Sequence, residues 1–479
     1  MSNLKKIVIN GTIWSVLGQL ASLLIILVTN ILLARILSPN EFGQVAVIMF
    51  FITLSNIFID SGLGGALVRK KKPTQADYST VFVTNLIISI LCFIVILFSA
   101  RFVARYYNDI LLKNLLIVAG FALIINAFQL TQNAKLIIDM KFKEKAIYRF
   151  IAVMISSLIG IYFAYHGIGV WSLILIQLLT IGINVILLWF FEGFFINFFF
   201  CKKAFKELFA FGANTTLASL INSGFDNIYQ LILAKYFSLS QTGFYYQAKK
   251  LQDVPGGIIN MVTQSVIFSS LANLQEDKLI FTKAYNKITL YFLVMLGFIS
   301  TFVYVYAEPI VLLLYGKGWI GAVFYMQLLT IASFFYLQEQ INRVIFKVFN
   351  QTRQILYLEY LKKSIQLISI VIGIYYLNMQ ILIIGVVITN MIGYLINYYF
   401  SRKIIGSVSS FEILTLFKVS MLSVLIVIII IQLTTLFDLQ NYMIFLTIPI
   451  LFLLYLIGLY LLNVINISKE IKYFTKLYS

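Results

Sequence analysis

Long apolar runs separated by short polar joints fill nearly the whole chain of 479 residues. A helix that crosses the hydrocarbon core needs about 20 mostly apolar residues. Applied along the chain, that rule predicts fourteen spans: 12–37, 43–68, 80–104, 110–134, 147–165, 168–191, 208–236, 243–270, 284–306, 322–348, 355–376, 380–400, 413–436 and 442–463. The segments between 208 and 270 are the most polar of the set. No joint is long enough to fold as a domain of its own, so any activity has to reside within the helices.

Composition agrees with this pattern. The chain is 61% hydrophobic and 11% charged, with mean hydropathy +0.95, whereas soluble domains run nearer a quarter charged. The expected fold class is therefore an all-α polytopic membrane protein. Lys and Arg outnumber Asp and Glu by 36 to 18. In a membrane protein such an excess marks cytoplasmic loops, and nucleic acid is not an expected partner. With a cytoplasmic N-terminus, the even-numbered joints carry Arg69–Lys72, Lys135, Lys141, Lys143, Lys145, Arg149, Lys202, Lys203 and Lys206. Further along the same side gathers Lys278, Lys283, Lys287, Lys347, Arg353, Lys362, Lys363, Arg402, Lys403 and Lys418. Lys5, Lys6, Lys469, Lys472 and Lys476 place both termini there too. The count becomes twelve if one pair of weaker segments does not span. Residues 12–37 are too long for a signal-peptide core and lack an A-x-A site, so the first segment is expected to be a retained span.

Several classes of chemistry are excluded. Cys92 and Cys201 lie far apart in apolar surroundings, and His166 is the only histidine. Neither a disulfide framework nor a histidine-based metal centre is expected. The chain has no G-x-x-x-x-G-K-[ST], H-E-x-x-H or G-x-S-x-G motif. It is expected to be a non-enzyme without catalytic residues, cofactor or metal.

A weak internal repeat sets the expected organisation. "LLARILSPNEFG" at 32–43 and "ILAKYFSLSQTG" at 232–243 align at a shift of 200 residues. Leu33, Ala34, Ser38 and Gly43 match Leu233, Ala234, Ser238 and Gly243, and Arg35 faces Lys235. Six spans separate the two stretches, so both enter the membrane in the same direction, as in a parallel repeat about the membrane normal. Two pseudo-symmetric six-helix bundles around a central cavity are expected, at 1–200 and 201–405. Residues 406–479 would add two helices outside the repeat and a cytoplasmic tail.

A charge at the bilayer centre costs about 2.5–3.5 kcal/mol on insertion scales, so each one marks a candidate site. Lys249 and Lys250 begin the eighth span, six and seven residues after Gly243. They either face a cavity and attract an anion, or reach to headgroups, with Lys249 paired to Asp253 at i+4. Pro255, Gly256 and Gly257 are expected to kink or unwind that helix. Glu339 and Arg343 stand at i, i+4 and are expected to pair, either structurally or as a gate or substrate contact. Asp226 shares a helical face with Asn222 and Gln230. Asp60 opens "DSGLGGALV", whose glycines would permit close helix packing. Arg35 and Lys235 end equivalent spans on the outer side, where they either meet an anionic headgroup or anchor helix ends.

The ordered motifs carry a family resemblance. "LLARILSPNEFGQVAV", "DSGLGGALVRKK", "DYSTVFVTNL", "GIGVWSLILIQ", "FDNIYQLILAKYFS", "GFYYQAKKLQDVP" and "LLYGKGWIGAV" together resemble the polysaccharide transporter (Wzx-type oligosaccharide flippase) family across about residues 10–400. That family falls within the multidrug/oligosaccharidyl-lipid/polysaccharide exporter superfamily. The resemblance implies two six-helix bundles and the flipping of undecaprenyl-pyrophosphate-linked oligosaccharides across the bacterial cytoplasmic membrane. The implied partners are that lipid, membrane lipids and a coupling H+ or Na+, with a monomer acting alone or beside glycan polymerase machinery. Lys249, Lys250, Arg343 and the outer Arg35 and Lys235 would answer the anionic headgroup, while Asp226, Asp60 and Glu339 dilute that charge. The competing readings are a drug or cation antiporter of the same superfamily, a lipid II flippase, and a glycan polymerase or glycosyltransferase. The last normally carries a large outer loop, which is missing here.

Overall fold

A computed structural model describes residues 2–192, 197–406, 411–438 and 441–464. Lys469, Lys472 and Lys476 lie outside the described residues, as do the side chains of Lys5 and Lys6. All regular structure within this range is helical. In chain order it comprises α1 (Ser2–Ile36), α2 (Pro39–Asp60), α3 (Leu63–Arg69), α4 (Gln75–Tyr106), α5 (Leu111–Ile138), α6 (Phe142–Tyr165) and α7 (Trp171–Phe191). These are followed by α8 (Lys202–Tyr236), α9 (Leu239–Val262), α10 (Phe268–Ala272), α11 (Lys278–Val305), α12 (Ala307–Leu314) and α13 (Ala322–Val348). The last four are α14 (Thr352–Tyr375), α15 (Met379–Ile405), α16 (Phe411–Leu436) and α17 (Ile448–Leu461).

Every expected span falls on helical structure, and those at 43–68, 243–270 and 442–463 each fall on more than one element. Ten helical segments among the described residues are long and apolar enough to cross a membrane. The remaining four expected spans fall on α8, α9, α13 and α14, which are long but polar. Polar helices at membrane depth face protein or water rather than lipid. These four helices therefore point to the interior chemistry.

The chain divides into two compact units, Met1–Tyr246 and Gln247–Ser479. In the first unit, one apolar seam joins α2 (Ile48, Ile52), α4 (Ile96, Ala100), α5 (Leu112, Leu116, Leu123) and α7 (Ile174). Small residues set the closest approaches. A Cβ on Gly18 of α1 would lie 2.4 Å from Ala146 Cβ of α6, and one on Gly160 would lie 2.0 Å from Ile176 Cγ1 of α7. α8 packs on α2, α3 and α4, with Leu208 in a cluster with Leu67, Tyr78 and Ala134.

Two local expectations turn out differently. The "DSGLGG" glycines do not make close helix contacts. Ser61 and Gly62 adopt positive φ (48° and 64°) and break the span between α2 and α3. Gly64 donates its N–H to Asp60, and Gly65 faces open space. Pro255 does not unwind its helix either: α9 runs unbroken to Val262, and the irregularity is a π turn at Thr263–Ile267. A proline removes one backbone bond and crowds the preceding turn, which a helix supported by its neighbours can absorb.

In the second unit α13 is the buried axis. Residues Leu337 to Asn342 are all buried, so this stretch shows no face to lipid. Around it pack α11 and α15, with α14 against α15 and α16 against α11. α16 and α17 share a core of Val419, Leu422, Ile426, Leu451 and Tyr455, closed by Tyr306.

Candidate functional site

The interior of the second unit contains two clusters of charge. In the first, Glu339 of α13 is fully buried. Its Oε1 accepts from Arg343 Nη2 at 2.5 Å and from Asn397 Nδ2 at 3.2 Å, and its Oε2 accepts from Lys362 Nζ of α14 at 2.6 Å. Arg343 Nη2 also binds Glu359 of α14, which in turn lies 3.6 Å from Lys363 Nζ. Lys362 sits 5.2 Å above the Tyr336 ring. On α15, Gly393 leaves the space this needs: a Cβ there would be 3.0 Å from both Glu339 Oε2 and Lys362 Cδ. The structure thus brings Glu339 and Arg343 together as their spacing predicted, and adds three partners from the next helix.

The second cluster joins Arg402 of α15 to Glu412 of α16 at 2.5 Å, both side chains 1% exposed. Glu412 Oε1 also accepts from Asn342 Nδ2 (3.1 Å) and Tyr394 OH (2.8 Å). Arg402 Nη1 donates to Asn286 Oδ1 at 3.0 Å, and the guanidinium lies 4.8 Å from the Tyr285 ring centroid. Asn342 Oδ1 accepts from Tyr285 OH and Ser401 Oγ, each at 2.9 Å. Four helices, α11, α13, α15 and α16, are pinned by one buried pair.

These clusters correct part of the charge reading. Lys362, Lys363 and Arg402 are buried members of internal networks rather than cytoplasmic loop residues. Two cues pointed the other way. Glu359 precedes Lys362 and Lys363 by three and four residues, the spacing of helical ion pairs. Arg402 is followed by Glu412 only ten residues later.

The other candidates differ in their exposure. Lys249 and Lys250 are half-buried on α9. Asp226 and Asn222 are exposed on α8, whereas Gln230 is buried and donates to Asn227 Oδ1 at 3.3 Å, so the expected stripe divides. Arg35 is exposed at the end of α1. Lys235 is exposed at the end of α8, where its Nζ donates to the Tyr106 carbonyl at 2.8 Å and lies 3.9 Å from that ring. Lys235 thereby caps the last turn of α4.

The turns that follow Arg35 and Lys235 meet reciprocally within the first unit. A Cβ on Gly43 would lie 1.8 Å from the Leu239 carbonyl oxygen, and one on Gly243 would lie 1.8 Å from the Pro39 carbonyl oxygen. Positions 39 and 239, like 43 and 243, are equivalent at the 200-residue shift. Position 39 thus meets 243 while 43 meets 239, a crossed pairing of equivalent positions. Both turns are also capped alike: Ser38 Oγ accepts from the Glu41 N–H at 3.4 Å and Ser238 Oγ from the Gln241 N–H at 3.1 Å.

Inside the first unit four carboxamides form a chain across three helices. Asn126 Nδ2 donates to Asn56 Oδ1 (2.8 Å), Gln129 donates to Asn126 Oδ1, and Asn184 Nδ2 donates to Gln129 Oε1 (2.6 Å). Only the Asn126/Gln129 spacing of i, i+3 signalled it in sequence. At one end of this unit, Lys70 bridges Asp77 and Glu207, each at 3.0 Å, and these two carboxylates hold its ammonium above the usual lysine range. Among the described residues no group of three His, Cys, Asp or Glu side chains is arranged to hold a metal ion.

Comparison with known proteins places this geometry. Residues 32–324 match the model of a family described as polysaccharide biosynthesis protein. The succinoglycan biosynthesis transport protein ExoT of Rhizobium meliloti (strain 1021) is 24% identical over 66% of this chain and 64% of its own length. The teichuronic acid biosynthesis protein TuaB of Bacillus subtilis (strain 168) is 21% identical over 70% of this chain and 69% of its own. The lipid II flippase MurJ, solved in an inward closed conformation, superimposes with a TM-score of 0.72 at 15% identity, covering 94% of this chain and 98% of that one. The chain belongs to the polysaccharide biosynthesis protein family and has the helical fold of the lipid II flippase.

Proposed function

We propose that the protein is a flippase that moves undecaprenyl-pyrophosphate-linked oligosaccharide repeat units from the inner to the outer leaflet of the bacterial cytoplasmic membrane. The units would serve O-antigen, capsule or exopolysaccharide assembly, and the movement would be by alternating access. The observation that carries this reading is the burial of Arg343, Lys362 and Lys363 between the two polar helices α13 and α14, inside the second unit. Interior cations of this kind fit an anionic lipid headgroup better than a cationic drug. A multidrug antiporter would favour uncompensated acids, whereas Glu339, Glu359 and Glu412 are each engaged by cations of the protein itself.

The reading extends to lobes at 1–200 and 201–405, whose repeat the reciprocal glycine turns support, and to 406–479, with both termini cytoplasmic. Lys249, Lys250, Arg343, Glu339, Asp226, Arg35 and Lys235 are retained as proposed substrate-side residues, with Lys235 acting first as a helix cap. Between α11, α13 and α16 a cavity of about 320 Å³ lined by Phe334, Phe335, Val424 and Thr301 is apolar enough for an isoprenyl segment. The test is where lipid-linked repeat units reside, inner or outer leaflet, in cells with and without the gene.

A further inference from the structure

Arg343 is the cation of the Glu339 network whose bonding is incomplete. Its Nη2 meets both Glu339 and Glu359, while its Nε is buried without a partner among the described residues. A guanidinium offers five donors in one plane, and the edge formed by Nε and one Nη matches two oxygens of a carboxylate or phosphate. On Arg343 that edge is half used. Accessibility also grades across the network. Glu339 is 0% and Lys362 8% exposed, whereas Arg343 is 14% and Glu359 18%. Arg402 also has an unpartnered Nε, but its side chain is 1% exposed, out of reach of any ligand. Arg343 and Glu359 are thus the more exposed pair of the network, with the Nε itself covered.

We propose that Glu359 is an internal stand-in for an oxyanion of the transported lipid, which displaces it and takes the Nε–Nη2 edge of Arg343. This rests on the reading above that the substrate carries a pyrophosphate. The exchange conserves charge on the guanidinium, because one anion replaces another while Glu339 stays bound. No bare ion is left in the low-dielectric interior, where it would go uncompensated. Lys363, 3.6 Å from Glu359 on the same helix, holds the displaced carboxylate close by. A tethered competitor has a high effective concentration, so the return of Glu359 promotes substrate release. That property suits a transporter, which must let its cargo go.

The experiment uses the purified full chain in detergent, with farnesyl pyrophosphate as probe and farnesol as control, read by native mass spectrometry. Glu359→Gln keeps the side chain's size and removes its charge. It is expected to bind farnesyl pyrophosphate about tenfold more tightly, with farnesol binding unchanged. Arg343→Lys keeps the charge and loses the planar edge, and is expected to lose at least the same factor. Should Glu359→Gln fail to fold, Glu359→Asp withdraws the carboxylate by one methylene and is expected to gain affinity in the same direction. Saturable wild-type binding that neither Glu359 variant tightens overturns the stand-in. Absence of pyrophosphate-selective binding in the wild type contradicts the substrate class itself, and the stand-in falls with it.

Discussion

Replacing Arg402 with Met tests whether one buried pair holds α16 to the rest of the second unit. Methionine fills much of the same volume, so the change is chiefly electrical. It leaves Glu412 with no side-chain cation within the cluster described, although Asn342 and Tyr394 continue to donate to it. Breaking a buried pair by removing one partner costs about 3–5 kcal/mol. The two retained hydrogen bonds, about 0.5–1.5 kcal/mol each, pull the cost toward the lower end. The lost guanidinium contact with Tyr285, about 2 kcal/mol when desolvated, pulls it back up. A cost of about 4 kcal/mol follows. At roughly 2–4 °C per kcal/mol for units of 150–250 residues, thermal unfolding in detergent should begin roughly 8–16 °C lower. The double variant Arg402→Met with Glu412→Leu removes both ions and should recover more than half of that loss, because apolar replacements of buried pairs are often neutral. A double-mutant cycle gives the coupling directly. A single variant within about 1 kcal/mol of wild type, or a double variant as unstable as the sum of the singles, would refute the pin.

The reciprocal turns predict a specific non-additivity. Gly43→Ala and Gly243→Ala each force a Cβ against a backbone carbonyl and should cost about 1–3 kcal/mol in the same thermal assay. The double variant should cost less than the sum, since the first alanine already opens the shared gap; strict additivity would show that the two contacts are independent. For topology, His166→Cys and Lys403→Cys, both at exposed positions, should react with an impermeant maleimide from opposite sides once Cys92 and Cys201 are replaced by Ser. Labelling of both from one side would break the span count.

How much of this could be read from sequence depended on the range of the interaction. Helix positions were legible because hydrophobic length is written along the chain, and the Glu339–Arg343 pair because i, i+4 is a local geometry. The partners that complete that pair were not. Lys362 is 23 residues from Glu339, and nothing in a linear pattern distinguishes a lysine that snorkels from one buried against another helix. Loop counting therefore placed Lys362, Lys363 and Arg402 outside the protein interior. The carboxamide chain was hidden for the same reason, since Asn56 and Asn126 are 70 residues apart. The "DSGLGG" stretch misled in another way. Glycine permits both close packing and positive φ, and only the backbone path decides between them. The 200-residue shift, by contrast, rested on four identities and meets a physical counterpart in the crossed contacts of Gly43 and Gly243.

Transport of a lipid-linked glycan is the central claim, and the leaflet in which that glycan accumulates tests it most directly. In cells lacking the gene, undecaprenyl-pyrophosphate-linked repeat units should be inaccessible to an impermeant glycosidase or lectin until the membrane is opened. Wild-type protein should restore outer access, and Arg343→Ala, at normal protein level, should not. Outer-leaflet repeat units at wild-type abundance in the deletion strain, with no other transporter of this family present, would contradict the account.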